Sequence, residues 1–291
     1  MMNAATPTAF RGWLIAWASA LGIAFGVSVL LSSTVGLMIG PLGRDLGWTP
    51  PQIYLAPTFA TLTTLFAAPL TGKLIDRFGA RRIICLALAF EALILLSFRY
   101  LDGGLATFYA RYALLALLST GATAVGFASL ISRWFDRRRG LALGITLSGL
   151  GMGGVYWSLT TQWLFDRVGW RMAFPIQAGV IACLVLPLLW WALRDDPAAL
   201  GQSVDGIEAA TAPREKVLEG LSLTQAAGSG RFWLLLSVSF VIAGATYGAM
   251  LHLVPMLQGR GVSPQIAAAI QASNWAALVV GRLGTGWVND R

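Results

Sequence analysis

Eight stretches of this chain are each apolar for about the 20 residues that a helix needs to cross roughly 30 Å of hydrocarbon. They fall near 13–40, 52–71, 83–101, 107–131, 141–164, 172–193, 232–254 and 265–288. A helix can cross because it satisfies its own backbone hydrogen bonds. A water-facing surface needs charge to cover it, and soluble domains carry about 25% charged residues. Here only 12% of 291 residues are charged while 56% are hydrophobic, which excludes a soluble protein with a large core. The fold class expected is an all-α polytopic membrane protein.

The formal charge of +8 does not point to nucleic acid, because the basic residues sit in short clusters between apolar stretches. Such clusters mark the cytoplasmic side. With the N-terminus inside, fifteen of the 21 lysines and arginines fall on that side, among them Arg11, Lys73, Arg77, Arg81, Arg82 and the run Arg137 to Arg139. A multi-pass protein of the plasma or inner membrane with a cytoplasmic N-terminus is therefore expected. Several of the tryptophans, Trp13, Trp48, Trp134, Trp170, Trp190 and Trp191 among them, lie near span ends and suit interfacial anchoring. The loops are short except for 194–230, which holds Asp195, Asp196, Asp205, Arg214, Lys216 and Glu219. This divides the chain into a six-helix bundle (1–193), a cytoplasmic linker (194–230) and two further helices (231–291).

The two parts repeat each other. Gly47, Thr49, Pro50, Thr71, Gly72, Asp76 and Arg77 return as Gly261, Ser263, Pro264, Thr285, Gly286, Asp290 and Arg291. Each copy places a far-side turn, a span and a Gly-x-x-x-Asp-Arg exit in the same membrane orientation, as in transporters built from parallel halves. Two helices cannot balance six, so a second bundle represented only in part, and a chain truncated after its eighth span, are expected. Eight spans alone are not expected to transport.

Enzyme chemistry is not represented. The chain has no His-Glu-x-x-His, P-loop lysine, G-x-S-x-G or cysteine/histidine cluster. Cys85 and Cys183 sit apart inside apolar stretches. No metal or cofactor is expected.

The segment Gly72 to Arg82, with Asp76, Arg77, Arg81 and Arg82, closely resembles the cytoplasmic signature of the major facilitator superfamily between spans two and three. Its partial return at Gly286, Asp290 and Arg291 matches what that family shows between spans eight and nine. The resemblance implies a gating latch, with Gly72 allowing close helix approach and Asp76 bonding a helix N-terminus or an arginine. A second signature runs from Trp134 through Arg139 and Gly140 into Ser148-Gly149-Leu150-Gly151-Met152-Gly153-Gly154. With Gly169-Trp170-Arg171, it resembles the monocarboxylate and oxalate/formate branch. Gly149 and Gly153 also have small-x-x-x-small spacing, the pattern of close helix packing.

Arg282 lies about 12 Å along its helix from Asp290. An arginine at that depth costs a few kcal/mol unless it is paired or faces water, and its planar fork suits a carboxylate. In the resembling branch an arginine of span eight binds the anionic substrate, and Arg282 occupies that place; a gate arginine snorkelling to the cytoplasm is the other reading. Leu278 stands where monocarboxylate transporters have an aspartate, and span one lacks their lysine.

Tyr156, Asn274 and Trp275 are candidate cavity walls beside Arg282, with Tyr54 and Trp157 further candidates. Glu91 and Arg111 are a possible coupling pair across neighbouring helices. His252 reads as interfacial. The function implied is secondary active transport of a small organic anion, mono- or dicarboxylate, by alternating access, with a coupling proton or counter-anion. A multidrug or neutral-solute exporter of the same superfamily is the alternative, and a non-transporting membrane sensor or remnant is the alternative of another class.

Overall fold

The structure, a computed structural model, describes residues 10–206 and 223–289. The first expected span is two helices, α1 (Gly12–Ala24) and α2 (Val27–Leu46). They are followed by α3 (Pro50–Phe78), α4 (Ala80–Ser97), α5 (Leu105–Ser119), α6 (Ala124–Trp134), α7 (Arg139–Val168), α8 (Trp170–Val180) and α9 (Leu186–Ala192). A short α10 (Leu223–Ala227) precedes α11 (Gly230–Gly259) and α12 (Pro264–Asn289). Among the described residues, seven of the expected spans combine the length and apolarity to cross a membrane. The fifth, α7, has 30 residues but falls short in hydropathy. Its glycines, serines and threonines are buried against other helices rather than turned to lipid.

Three spans depart from regular helix. At Phe25 and Gly26 the first is interrupted: Gly26 is extended, its N–H bonds Ile23 O, and α2 starts afresh from the Gly26 carbonyl. Span four breaks at Thr120–Ala122, a 3₁₀ turn followed by the extended Thr123. The two interruptions meet, since a Cβ on Gly26 would fall on the Ala122 carbonyl oxygen. In span six a π turn covers Ile181–Val185 just ahead of Pro187; proline lacks the N–H that a regular ladder needs there.

The internal repeat returns as structure. Gly47 and Gly261 both adopt positive φ, 69° and 84°. Thr49 caps α3 through a reciprocal bond with Gln52, ahead of Pro50, and Ser263 Oγ accepts from Ile266 N at the start of α12, ahead of Pro264. A hydroxyl cap with proline at the first helical position is a favoured helix start, so the same four-residue device launches α3 and α12.

The glycine run in α7 serves two neighbours. A Cβ at Gly149 or Gly153 would strike the carbonyls of Ala20 and Ala24 in α1, while one at Gly151 or Gly154 would strike Trp275 in α12. One face of α7 thus lies on α1 backbone and the other on α12. Ala24 O, freed by the break, accepts from Trp157 Nε1 at 2.9 Å. Trp157 is fully buried and holds the break closed rather than lining a cavity. Trp157→Phe keeps most of the ring and leaves that carbonyl unpaired, which is expected to destabilise by about 2 kcal/mol, read as a lowered thermal unfolding midpoint in detergent.

The arginine-rich end is tied together by residues from the expected linker. Asp195 Oδ1 accepts from Arg81 N at 2.8 Å at the start of α4, and Trp134 Nε1 donates to Arg194 O. Asp205 Oδ2 accepts from the N–H groups of Asp136 and Arg137. Residues 194–206 are therefore docked against the six-span bundle, and 207–222 lie outside the described residues. Burial, then the nearby Arg81 and Arg11, hold the Arg194 pKa below its ordinary value.

Candidate functional site

The last two spans meet the first six along α7 and α12, which run antiparallel. Gly154 packs on Trp275 and Gly151 on Trp275 and Val279; at the opposite end, away from the arginine clusters, Gln265 Nε2 donates to Asp166 Oδ2. On α12, Gln271, Trp275 and Arg282 fall within about 40° of one another at 100° per residue, forming one stripe. Gln271 and Trp275 are buried against α7, and neither Gln271 Oε1 nor Trp275 Nε1 has a partner. Arg282 is half-buried, and among the described residues no carboxylate reaches it.

Of the expected substrate residues, Trp275 and Arg282 share this stripe. Tyr156 is half-buried, its ring 4.7 Å from Phe25 at the break of span one. By the register of Gly154 on Trp275, Tyr156 lies level with Trp275 and about 12 Å from the level of Arg282 along α7. Asn274 is exposed and turned off the stripe, so it does not join Arg282. Gln271 was not singled out in the sequence; its spacing of four from Trp275 was the available signal.

The residues expected to form a gating latch separate similarly. Arg81 Nε donates to Trp190 O at 3.0 Å, its Nη2 shares that acceptor, and the guanidinium lies 4.1 Å from the Trp190 ring centre. It binds the α3–α4 turn to the end of α9, inside the six-span bundle. Gly79, at φ 88°, admits the Asp195 carboxylate where a Cβ would stand. Asp76, Arg77 and Arg82 are exposed, and Asp76 has no partner among the described residues. The close approach expected at Gly72 does not occur here: a Cβ there would meet no described atom within 4 Å. Gly286 lies in α12, whereas Asp290 and Arg291 lie outside the described residues.

The expected pairing of Glu91 with Arg111 does not form. Arg111 donates to Ser97 Oγ and Tyr100 O near the far end of α4, about 9 Å along the helix from Glu91. Glu91 is fully buried with both carboxyl oxygens unpaired.

Away from the arginine clusters, Tyr54 hydroxyl donates to Leu251 O at 3.0 Å and its ring lies 4.8 Å from His252, while Pro255 packs at Gly36. Asp45 Oδ2 accepts from Trp170 Nε1 and Arg171 Nη1, locking α2 to α8. Here α2 and α3 of the first part touch α11 of the second. The two sets of spans are thus joined at one end by side-chain contacts and along α7 and α12 by close helix packing.

The family model for the Major Facilitator Superfamily matches residues 21–291. The chain belongs to this superfamily. Membership and the seven long apolar helices among the described residues make it a multi-pass membrane protein. It is 28% identical over 239 residues to monocarboxylate transporter 13 of Bos taurus, covering 77% of this chain and 49% of that protein. It is 27% identical over 303 residues to monocarboxylate transporter 11 of Mus musculus, covering 99% and 61%. It is 28% identical over 240 residues to the MFS transporter asaE of Aspergillus flavus, covering 77% and 47%. The chain thus spans about half to three-fifths of the length of these relatives.

Proposed function

We propose that the whole protein is a secondary active transporter of a small organic anion, a mono- or dicarboxylate, set in the plasma or inner membrane with its N-terminus and arginine-rich end in the cytoplasm. The first six spans form one bundle, α11 and α12 begin the other, and the anion enters between them. The observation that carries this reading is Arg282: a half-buried guanidinium within a membrane helix, with no carboxylate partner among the described residues. A cation so placed is costly unless it meets water or an anion, and its two parallel donors fit a carboxylate. The names of the monocarboxylate transporters among its relatives support the same substrate class. Trp275 Nε1 and Gln271, on the same stripe, supply further polar groups toward the interface.

The test is uptake of radiolabelled lactate and succinate by proteoliposomes holding the whole protein. At least one is expected to enter faster than into protein-free vesicles and to be displaced by unlabelled carboxylate. Uptake no faster than in empty vesicles, for both solutes, would sink the reading.

A further inference from the structure

The most costly polar group in the described residues is the Glu91 carboxyl. It lies eleven residues, about 17 Å, along α4 from Ala80, near the middle of a span. It is 0% exposed, and neither oxygen has a hydrogen-bond partner. Its surroundings are specific. Ala87, one turn before it on the same face, packs against Gly121 in the broken segment of span four. The N–H of Val27, first residue of the 20-residue α2, faces the carboxyl without reaching hydrogen-bond geometry. Ser119 Oγ, at the edge of the same break, is also buried and unpaired. Glu91 therefore points into the junction where two interrupted helices cross.

Among the described residues no countercharge pairs with it. Arg111 of α5 is held by Ser97 and Tyr100; Tyr112 of α5 points its hydroxyl at Met38 Sδ; Tyr54 of α3 is bonded to Leu251 O. Cys85 of α4 is buried on its own helix, and Cys183 beside α8 is exposed. A carboxylate buried without partners is not sustainable, so the group must carry a proton or a cation. The positive end of α2 disfavours a cation and favours the carboxylate left when a proton departs.

We propose that Glu91 is a proton-binding site built at the crossing of the two broken spans, and that it exchanges its proton as those spans move during transport. In the packed arrangement the acid is neutral. When the break opens, the O–H bond breaks and the proton passes to entering water, leaving a carboxylate that the Val27 amide at the start of α2 can hydrogen-bond. Reprotonation from water restores the closed packing. This rests on the transporter reading but not on which solute is carried.

The first test is infrared spectroscopy of the whole protein in lipid at neutral pH. The C=O stretch of a buried protonated acid is expected in the native protein and lost in Glu91→Gln, which keeps the side chain's size. Coincident spectra would overturn the proposal. The second is uptake, under an inward proton gradient, of whichever of labelled lactate and succinate the native protein carries, where stimulation by the gradient is expected in the native protein and lost in Glu91→Gln. Equal stimulation of both proteins, or of neither, would overturn the exchange step. Should the native protein carry neither lactate nor succinate, the anion reading fails while the infrared result still decides the site.

Discussion

Gly153→Ala is expected to lower the thermal unfolding midpoint of the detergent-solubilised protein by roughly 6 °C or more, whereas Gly72→Ala leaves it unchanged or raises it. Both glycines lie inside long helices. What separates them is the far side of the missing side chain. A methyl at Gly153 would fall on the carbonyl of Ala24, a backbone group that already accepts the Trp157 indole N–H. Overpacking costs about 1–3 kcal/mol where side chains can give. Here the obstacle is main chain pinned at a helix break, so about 3 kcal/mol or more is expected. Gly149 stands one turn away against the carbonyl of Ala20, so α7 has no room to slide. At Gly72 nothing described lies within 4 Å, and replacing a helical glycine by alanine gains roughly 0.5–1 kcal/mol. Equal midpoints for the two variants would show that α1 and α7 do not pack as described.

The contrast between those glycines marks where sequence reasoning works and where it stops. Spans were legible because 20 apolar residues have few alternatives, and the internal repeat was legible because Gly47 and Gly261, with the hydroxyl caps Thr49 and Ser263, serve the same local turn chemistry. Close packing at Gly149 and Gly153 was readable from spacing alone. The interruptions at Gly26 and Ala122 were not, because one extended residue hardly changes the hydropathy of its window. Register between spans was equally hidden. Glu91 and Arg111 sit on neighbouring helices, yet the antiparallel alignment of α4 and α5 sets Arg111 at Ser97 and Glu91 at the break. Facing direction was hidden too: Asn274 and Trp275 are adjacent in sequence, but only Trp275 is buried on α7. Asp195 and Asp205 looked like solvated linker charges, whereas each accepts backbone N–H groups at the start of α4 or in the turn before α7.

Arg282→Ala is expected to reduce carboxylate uptake by about 100-fold, and Arg282→Lys by an intermediate factor near tenfold. Two charge-assisted bonds to one carboxylate are together worth about 3 kcal/mol, and each 1.4 kcal/mol is tenfold in an equilibrium constant. Lysine keeps the charge as a point donor but loses the parallel pair, so it should recover part of the loss. This ordering distinguishes recognition of the anion from the other use of an arginine at this place. A snorkelling or gate arginine needs only positive charge near the membrane surface, and lysine would then serve as well as arginine. Folding is not expected to confound the comparison. Arg282 is half-buried and among the described residues makes no side-chain hydrogen bond or ion pair, so its removal orphans no described partner. The measurement is initial uptake of whichever of lactate and succinate the native protein carries, in proteoliposomes matched for folded protein. Full activity in Arg282→Lys would move Arg282 from the substrate to the gate, and full activity in Arg282→Ala would remove it from both.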